Sequence, residues 1–281
     1  MWWRGTVDGM TAHCEVLECI ERYYDSVPRA TARVEDHGAF LLFVATGPWP
    51  FYARPRLGSD RRADRDRDLV AVLERQRELG VPQALEWVAE VSPAAEQAAL
   101  RAGLVVQRHP LLVLDTPLEV QPIPGIELRM AAADDRAIPS ACAAIELAFT
   151  VGGIEAGNIG VVERDSALAR RDRTDDAFVR SLIAVGHMVM VIAESHDGPV
   201  AGGTASPRGA VAELTGIATL PASRRRGLGL AVTAVLIAEV RRRGVEVVFL
   251  SASDDAVARI YERAGFRRFA TACTAHAPPR R

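Results

Sequence analysis

Residues 224–230, Arg-Arg-Arg-Gly-Leu-Gly-Leu, are the stretch whose composition points most directly to chemistry. Gly227 and Gly229 permit backbone conformations and close approaches that a Cβ would block. The run that follows reads as an apolar helix. Its first N–H groups have no partner within the helix and can point together at one anion. The positive helix end and the side chains of Arg224, Arg225 and Arg226 add attraction. The chemistry this suits is the binding of a diphosphate. The spacing is not the GxGxxG of a dinucleotide cradle. In a chain rich in arginine and glycine, Arg-x-x-Gly-x-Gly alone also arises by chance.

Composition narrows the alternatives. The chain has 281 residues, is 49% hydrophobic and 25% charged, and carries a formal net charge of -2. At roughly 150 residues per domain this is a two-domain length. All 34 basic residues are arginine, which excludes Schiff-base lysines, Walker-type loops and Ser–Lys dyads. Balanced charge argues against a nucleic-acid partner held by bulk electrostatics. Cys14, Cys19, Cys142 and Cys273 form no CxxC pair, and no histidine pair has metal-ligand spacing, so no metal is expected. Buried free thiols in a reducing compartment are the expectation. Residues 1–6 lack the apolar run of a secretion signal, and no stretch reaches the ~18 apolar residues of a spanning helix. A cytoplasmic protein with no membrane partner is expected.

Around the glycine loop, secondary structure alternates. Asp134–Phe149 reads as a helix with a late start at Pro139. Val189 lies in a β-type run, 188–193, followed by the turn residues His196-Asp-Gly-Pro199. Strands at 200–206 and 210–219 lead into the loop. A helix spans Leu228 to Arg243 and closes at Gly244, apolar on nearly every side in its first half. A strand at 246–251, a helix at 254–264 and a final hairpin from Phe266 complete an α+β pattern with a mixed sheet. Prolines at 117, 122 and 124 mark a domain boundary. The expected division is 1–118, a linker at 119–125, and 126–281. The first part echoes the second in order: strands at 40–45 and 50–53, a helix at 66–79, a strand at 84–91 and a helix at 94–104. Arg101-Ala-Gly-Leu104 matches Arg263-Ala-Gly-Phe266.

Taken together, the strand Glu213–Thr219, Pro221, the loop Arg224-x-x-Gly-x-Gly229, the buried helix, the strand at 247–251 and Asp254-x6-Tyr261-x3-Gly-Phe266 resemble the GNAT superfamily of acyl-CoA-dependent N-acetyltransferases. The resemblance covers residues 126–281 and implies two GNAT-like domains, each a mixed, splayed β-sheet flanked by helices. It implies acetyl-CoA as cosubstrate and a small-molecule or peptide amine as acceptor. On this chain the backbone of Ile217, Ala218 and Thr219 would pair with the pantetheine. Arg224, Arg225, Arg226, Gly227, Leu228, Gly229 and Leu230 would hold the phosphates.

Transfer of an acetyl group to an amine needs a base for the ammonium, donors for the oxyanion and a proton donor for the thiolate. The resemblance implies Glu213 as base, Tyr261 as donor and the N–H near Ile217 at the oxyanion. Strict alternation puts Glu213, Thr215 and Ile217 on one face. Each assignment has a plainer counterpart: Glu213 as an ion-paired strand carboxylate, Tyr261 as a core residue. Asp254 stands where relatives have a coenzyme-contacting Asn, and it equally suits a helix cap. Asp134, Asp135, Glu155, Asp172, Asp175 and Asp176 would favour a cationic amine, or are ordinary surface acids. In the first half Ala99 replaces the tyrosine, and no Gly-x-Gly follows Tyr52. The mixed-charge run 54–67 reads as a solvated loop. That half is expected to be a degenerate copy without a site of its own. The alternative for the whole chain is a catalytically idle acyl-CoA sensor or interaction protein.

Overall fold

The computed structural model describes residues 9–58, 65–119 and 122–278. They form two compact units, one holding the described residues up to Leu111 and those from Phe269, the other Leu112–Arg268. The expected linker falls in the second unit, with Val120 and Gln121 outside the described residues. Leu118, Ile123 and Ile126 on either side of those two pack on that unit's core.

The first unit opens with helix α1 (Gly9–Arg29) and a meander of β1 (Ala32–His37), β2 (Phe40–Ala45) and β3 (Arg54–Pro55). Helix α2 (Arg65–Glu78), β4 (Ala84–Val88), α3 (Pro93–Arg101) and most of β5 (Val105–Leu114) follow. The sequence pattern missed α1 and β1. It expected a strand at 50–53, where the structure has the isolated bridge Ala53↔Leu85 and then the short β3. The core gathers Phe40, Leu42, Leu69, Val72, Leu85 and Trp87. Arg54 is buried rather than solvated, since it bonds Glu86 at 2.5 Å, pairs with Glu21 at 3.4 Å and lies over the Tyr24 ring. A buried guanidinium is tolerated only with such partners. Residues 59–64 of the expected loop lie outside the described residues, and Arg65–Arg67 already belong to α2.

The second unit contains β6 (Glu127–Met130), α4 (Ile138–Val151), α5 (Val161–Leu168), α6 (Arg173–Ala184), β7 (Val189–Ser195), β8 (Gly198–Arg208) and β9 (Val211–Thr219). After a 3₁₀ turn at Pro221–Ser223 come α7 (Leu228–Arg242), β10 (Val247–Ser251), α8 (Asp255–Arg263) and the start of β11 (Phe266–His276). Strands follow the order β10-β9-β8-β7-β6, parallel between β10 and β9 and antiparallel elsewhere. Helices α5 and α6 were not read from the sequence: α5 is short and polar, whereas α6 carries an apolar stripe at Phe178, Val179, Leu182 and Ile183 that was overlooked. Asp172 caps α6 by accepting from Thr174 N at 2.8 Å. The expected terminal hairpin is one continuous strand, β11, whose later residues pair with β4 from Ala272↔Val88 to His276↔Ala84. No turn-forming residue interrupts 266–276.

The echo between halves survives at helix ends: Gly103 after α3 and Gly265 after α8 both take positive φ before a strand. Of the cysteines, Cys142 and Cys273 are buried, whereas Cys14 is exposed and Cys19 half-exposed. α1 turns Ile20 and Tyr23 inward, away from Cys14. Among the described residues no helix is long and apolar enough to cross a membrane.

Two adjacent glycines on β8 set the spacing of the second unit. A Cβ on Gly202 would lie 3.1 Å from Ile145 of α4, and one on Gly203 only 2.9 Å from Ile217 and 3.0 Å from Val232 of α7. Because neighbouring strand residues face opposite sides, helices α4 and α7 press on opposite faces of the same strand. Gly203→Ala therefore drives a methyl into Ile217 and Val232. It should destabilise the second unit by about 2 kcal/mol, read as a lowered urea midpoint.

Candidate functional site

The site begins where β9 leaves β10. The two strands pair only at Val247↔Val211, Val248↔Ala212 and Phe249↔Glu213. On its other side β9 stays paired with β8 as far as Thr219. From Leu214 to Thr219 the β10 side of β9 is therefore outside that ladder, and the sheet opens into a cleft. The cause is local. Register jumps from Ala205↔Leu214 and Thr204↔Thr215 to Gly202↔Ala218, so Gly203 opposes both Gly216 and Ile217. Gly216 takes φ +62°, the conformation a bulge of this kind needs. A bulge bends its strand and sharpens the twist, which turns β9 away from its parallel neighbour.

The bulge also corrects the alternation inferred from sequence. A Cβ on Gly216 would meet Thr204 Oγ1 and Ile145, on the α4 face, while Ile217 turns to Gly203 and α7. Glu213 and Thr215 thus keep the α4 face and Ile217 leaves it. Glu213 is half-buried at the last β9–β10 pair, where the cleft begins.

Beyond β9 the chain turns through Pro221–Ser223 into the glycine loop. Arg225 has φ +63°, the one non-glycine residue with positive φ among those described. Left-handed backbone costs about 1–2 kcal/mol at a residue with a Cβ. Gly227, the N-cap of α7, has φ 82° and offers no side chain to close the helix. The first intrahelical bond is Ala231 N to Gly227 O at 3.0 Å. The N–H groups of Leu228, Gly229 and Leu230 precede it and share the helix's positive end. Gly229 has ordinary helical backbone, and a Cβ there would come no closer than 4.0 Å to Ile217 Cγ2. Neither backbone geometry nor packing asks for glycine at 229.

The arginines divide their work. Arg224 spends its guanidinium on carbonyl oxygens of Thr219, Gly152, Glu155 and Ala148. Arg225 is exposed, 3.8 Å from Glu155, and Arg226 donates to Pro124 O at 3.1 Å. Two cationic side chains, not three, remain beside the open N–H groups.

Tyr261 projects from α8 into the core, 9% exposed and edge-on to Phe266. Burial pushes its pKa up to about 12, partly offset by a hydrogen bond with Thr233. Thr233 is fully buried on α7 and donates to Gly229 O at 2.7 Å. With one proton to give, the Thr233 hydroxyl serves Gly229 O or Tyr261, not both at once. Sequence reasoning passed over Thr233. Its signal was a single hydroxyl in an apolar helix, four residues after Gly229, where back-bonding to the i−4 carbonyl is expected.

Asp254 is exposed and caps α8, accepting from Val257 N at 2.9 Å and from Ser253 Oγ at 3.1 Å. Of the six acids considered for an acceptor site, Asp135 pairs with Arg129, Asp172 caps α6, and Asp176 bonds Arg171 at 2.8 Å. Glu155 faces Arg225. Among the described residues no cluster of histidine, cysteine and carboxylate side chains is placed to hold a metal.

Residues 162–266 match the family model described as the acetyltransferase (GNAT) family. A search of curated protein sequences finds no match. Among solved structures, a GCN5-related N-acetyltransferase from Kribbella flavida superposes with a TM-score of 0.67 at 20% identity, covering 94% of this chain and 96% of that one. A tandem GNAT protein from the clavulanic acid biosynthesis pathway gives 0.54 at 17% identity, over 86% of this chain and 79% of that one. A conserved protein of unknown function from Staphylococcus epidermidis gives 0.53 at 11% identity, over 87% and 92%. At these identities the likeness is one of fold.

The N–H of Val257 holds the Asp254 carboxyl below the usual aspartate range. A lowered folded-state pKa adds stability above the unfolded value, and that stability is lost as pH falls through the lowered one. Asp254→Ala should cost about 1 kcal/mol at neutral pH. The difference from wild type should shrink as pH drops below about 4, measured by urea unfolding across pH.

Proposed function

We propose that this chain, which carries a GNAT domain at residues 162–266, transfers an acetyl group from acetyl-CoA to a primary amine by direct attack within a ternary complex. The observation that carries the reading is Gly229, a glycine that no contact among the described residues requires, at an uncapped helix end beside the place where β9 and β10 stop pairing.

These residues fit the cosubstrate. The N–H groups of Leu228, Gly229 and Leu230, with those of the loop from Arg225 to Gly227, hold the diphosphate, and the side chains of Arg225 and Arg226 add charge at its edge. The backbone of the stretch Ile217, Ala218 and Thr219, whose alternate polar groups face away from β8, orders the pantetheine as an added strand would. Acetyl-CoA supplies the activated carbonyl. The chain supplies placement and proton management.

Glu213, at the head of the cleft, takes a proton from the acceptor ammonium through water. The freed lone pair forms the C–N bond, the N–H near Ile217 steadies the oxyanion, and the C–S bond breaks as the nitrogen gives its second proton to solvent. Tyr261 then donates to the departing sulfur. With a pKa near 12 its hydroxyl is a weaker acid than a thiol of about 8.5. It therefore stabilises the thiolate by hydrogen bonding while keeping its own proton, and the thiol is completed from solvent. Asp254 serves by fixing the start of α8, the helix that carries Tyr261.

Coenzyme A release across a panel of amines tests the roles. Tyr261→Phe and Glu213→Gln should each lower kcat by about 10²-fold or more. Wild-type turnover in both variants sinks the assignment. Tight acetyl-CoA binding with no turnover on any amine supports a sensor instead. Gly229→Ala separates fit from folding: it should raise stability by up to about 1 kcal/mol while weakening acetyl-CoA in calorimetry.

A further inference from the structure

The segment that joins α4 to α5 lies against the glycine loop. Gly157 N donates to Pro221 O at 3.1 Å, and Ala222 N donates to Ile159 O at 2.9 Å. The backbones are close enough that a Cβ on Gly157 would sit 3.2 Å from Pro221 Cβ, and one on Gly160 3.3 Å from Ala222 Cβ. Arg224 fastens the same two segments. Its Nε donates to Thr219 O at 3.1 Å, at the end of β9. Its Nη1 donates to Gly152 O at 2.8 Å and Glu155 O at 3.2 Å, and its Nη2 to Ala148 O at 3.1 Å. Ala148 and Gly152 lie at the C-terminal end of α4, where a cation is favoured, and Ala148 O also accepts from Gly152 N at 3.2 Å. Further up, α4 sets Ile145 against Gly202 and Gly216, on the sheet face that carries Glu213 and Thr215.

We propose that Arg224 is a positioning residue: it locks the glycine loop to the end of α4, so that seating a diphosphate on the loop and holding α4 over the Glu213 face are one coupled arrangement. The four carbonyls come from two stretches of chain, 148–155 and the end of β9, and a planar fork of donors spans them. A lysine carries its donors on one atom and does not. The binding half of this proposal rests on the acetyl-transfer reading; the locking half does not.

Hydrogen exchange on the ligand-free protein, with calorimetry of coenzyme A at several salt concentrations, tests both halves. Arg224→Gln should speed exchange at Gly157 and Ala222 while the amides of α7 stay protected. It should weaken coenzyme A about tenfold with an unchanged salt dependence. Arg225→Gln, which removes an exposed charge, should flatten the salt dependence. Arg224→Lys should behave as Arg224→Gln, and it decides the matter if the glutamine variant fails to fold. The amine KM of Arg224→Lys should also rise, since α4 loses its anchor. Wild-type exchange at Gly157 and Ala222 in a folded variant overturns the proposal. So does a flattened salt dependence on losing Arg224, which would make that side chain a phosphate ligand. If wild type binds no coenzyme A, the acetyl-transfer reading falls, and exchange alone still judges the lock.

Discussion

The bulge at Gly216 is the constraint on which the second unit's chemistry depends. One residue of β8, Gly203, stands opposite Gly216 and Ile217. The strand bends there, and its pairing with β10 ends at Glu213. A regular strand would continue its ladder and leave no backbone groups for anything else. The bulged one keeps its β8 partner and frees its other edge. It also reverses the alternation, so Ile217 packs toward α7 while Glu213 and Thr215 face α4.

Packing keeps this bend in place. Gly202 and Gly203 let α4 and α7 approach β8 from opposite sides, and Ile217 is wedged beside Val232. The same helix, α7, contributes the open N–H groups at its start and Thr233 one turn later, whose hydroxyl lies within reach of both Gly229 O and Tyr261. Loop, strand and tyrosine are therefore not independent features brought together by chance. They meet because α7 touches all of them. The cost is accepted locally, in the positive φ of Arg225 and a helix end that its N-cap leaves open, as expected where a loop is shaped for binding more than for stability.

The two halves of the chain share an order of elements but differ in what fills them. In the first unit β3 is only two residues long, and Arg54 beside it is buried in ion pairs with Glu21 and Glu86. Tyr261 has its counterpart in Ala99, packed in the core. The fold likeness to a tandem GNAT protein accords with the repeated order of elements read from the sequence.

Most elements of the second unit were legible, because strands of β-branched residues, a glycine-closed apolar helix and turn residues at 196–199 are local signals. The glycine loop was legible for the same reason: backbone freedom at 227 and 229 is a property of residue type. Helix α5 was not, since it is short and polar; α6 was readable from its stripe of Phe178, Val179, Leu182 and Ile183 but was overlooked. What the chain by itself determined is thus most elements of the second unit, their order, and a glycine loop whose residue types suit an anion. Tertiary structure decided where the long side chains go. Arg224 turns from the loop to the carbonyls of α4, Asp254 turns back onto Val257, and Ile217 changes face. An arginine reaches any of several acceptors, and a strand's alternation holds only while its register does. Which acceptor lies within reach, and where the register slips, depend on segments far away in the chain.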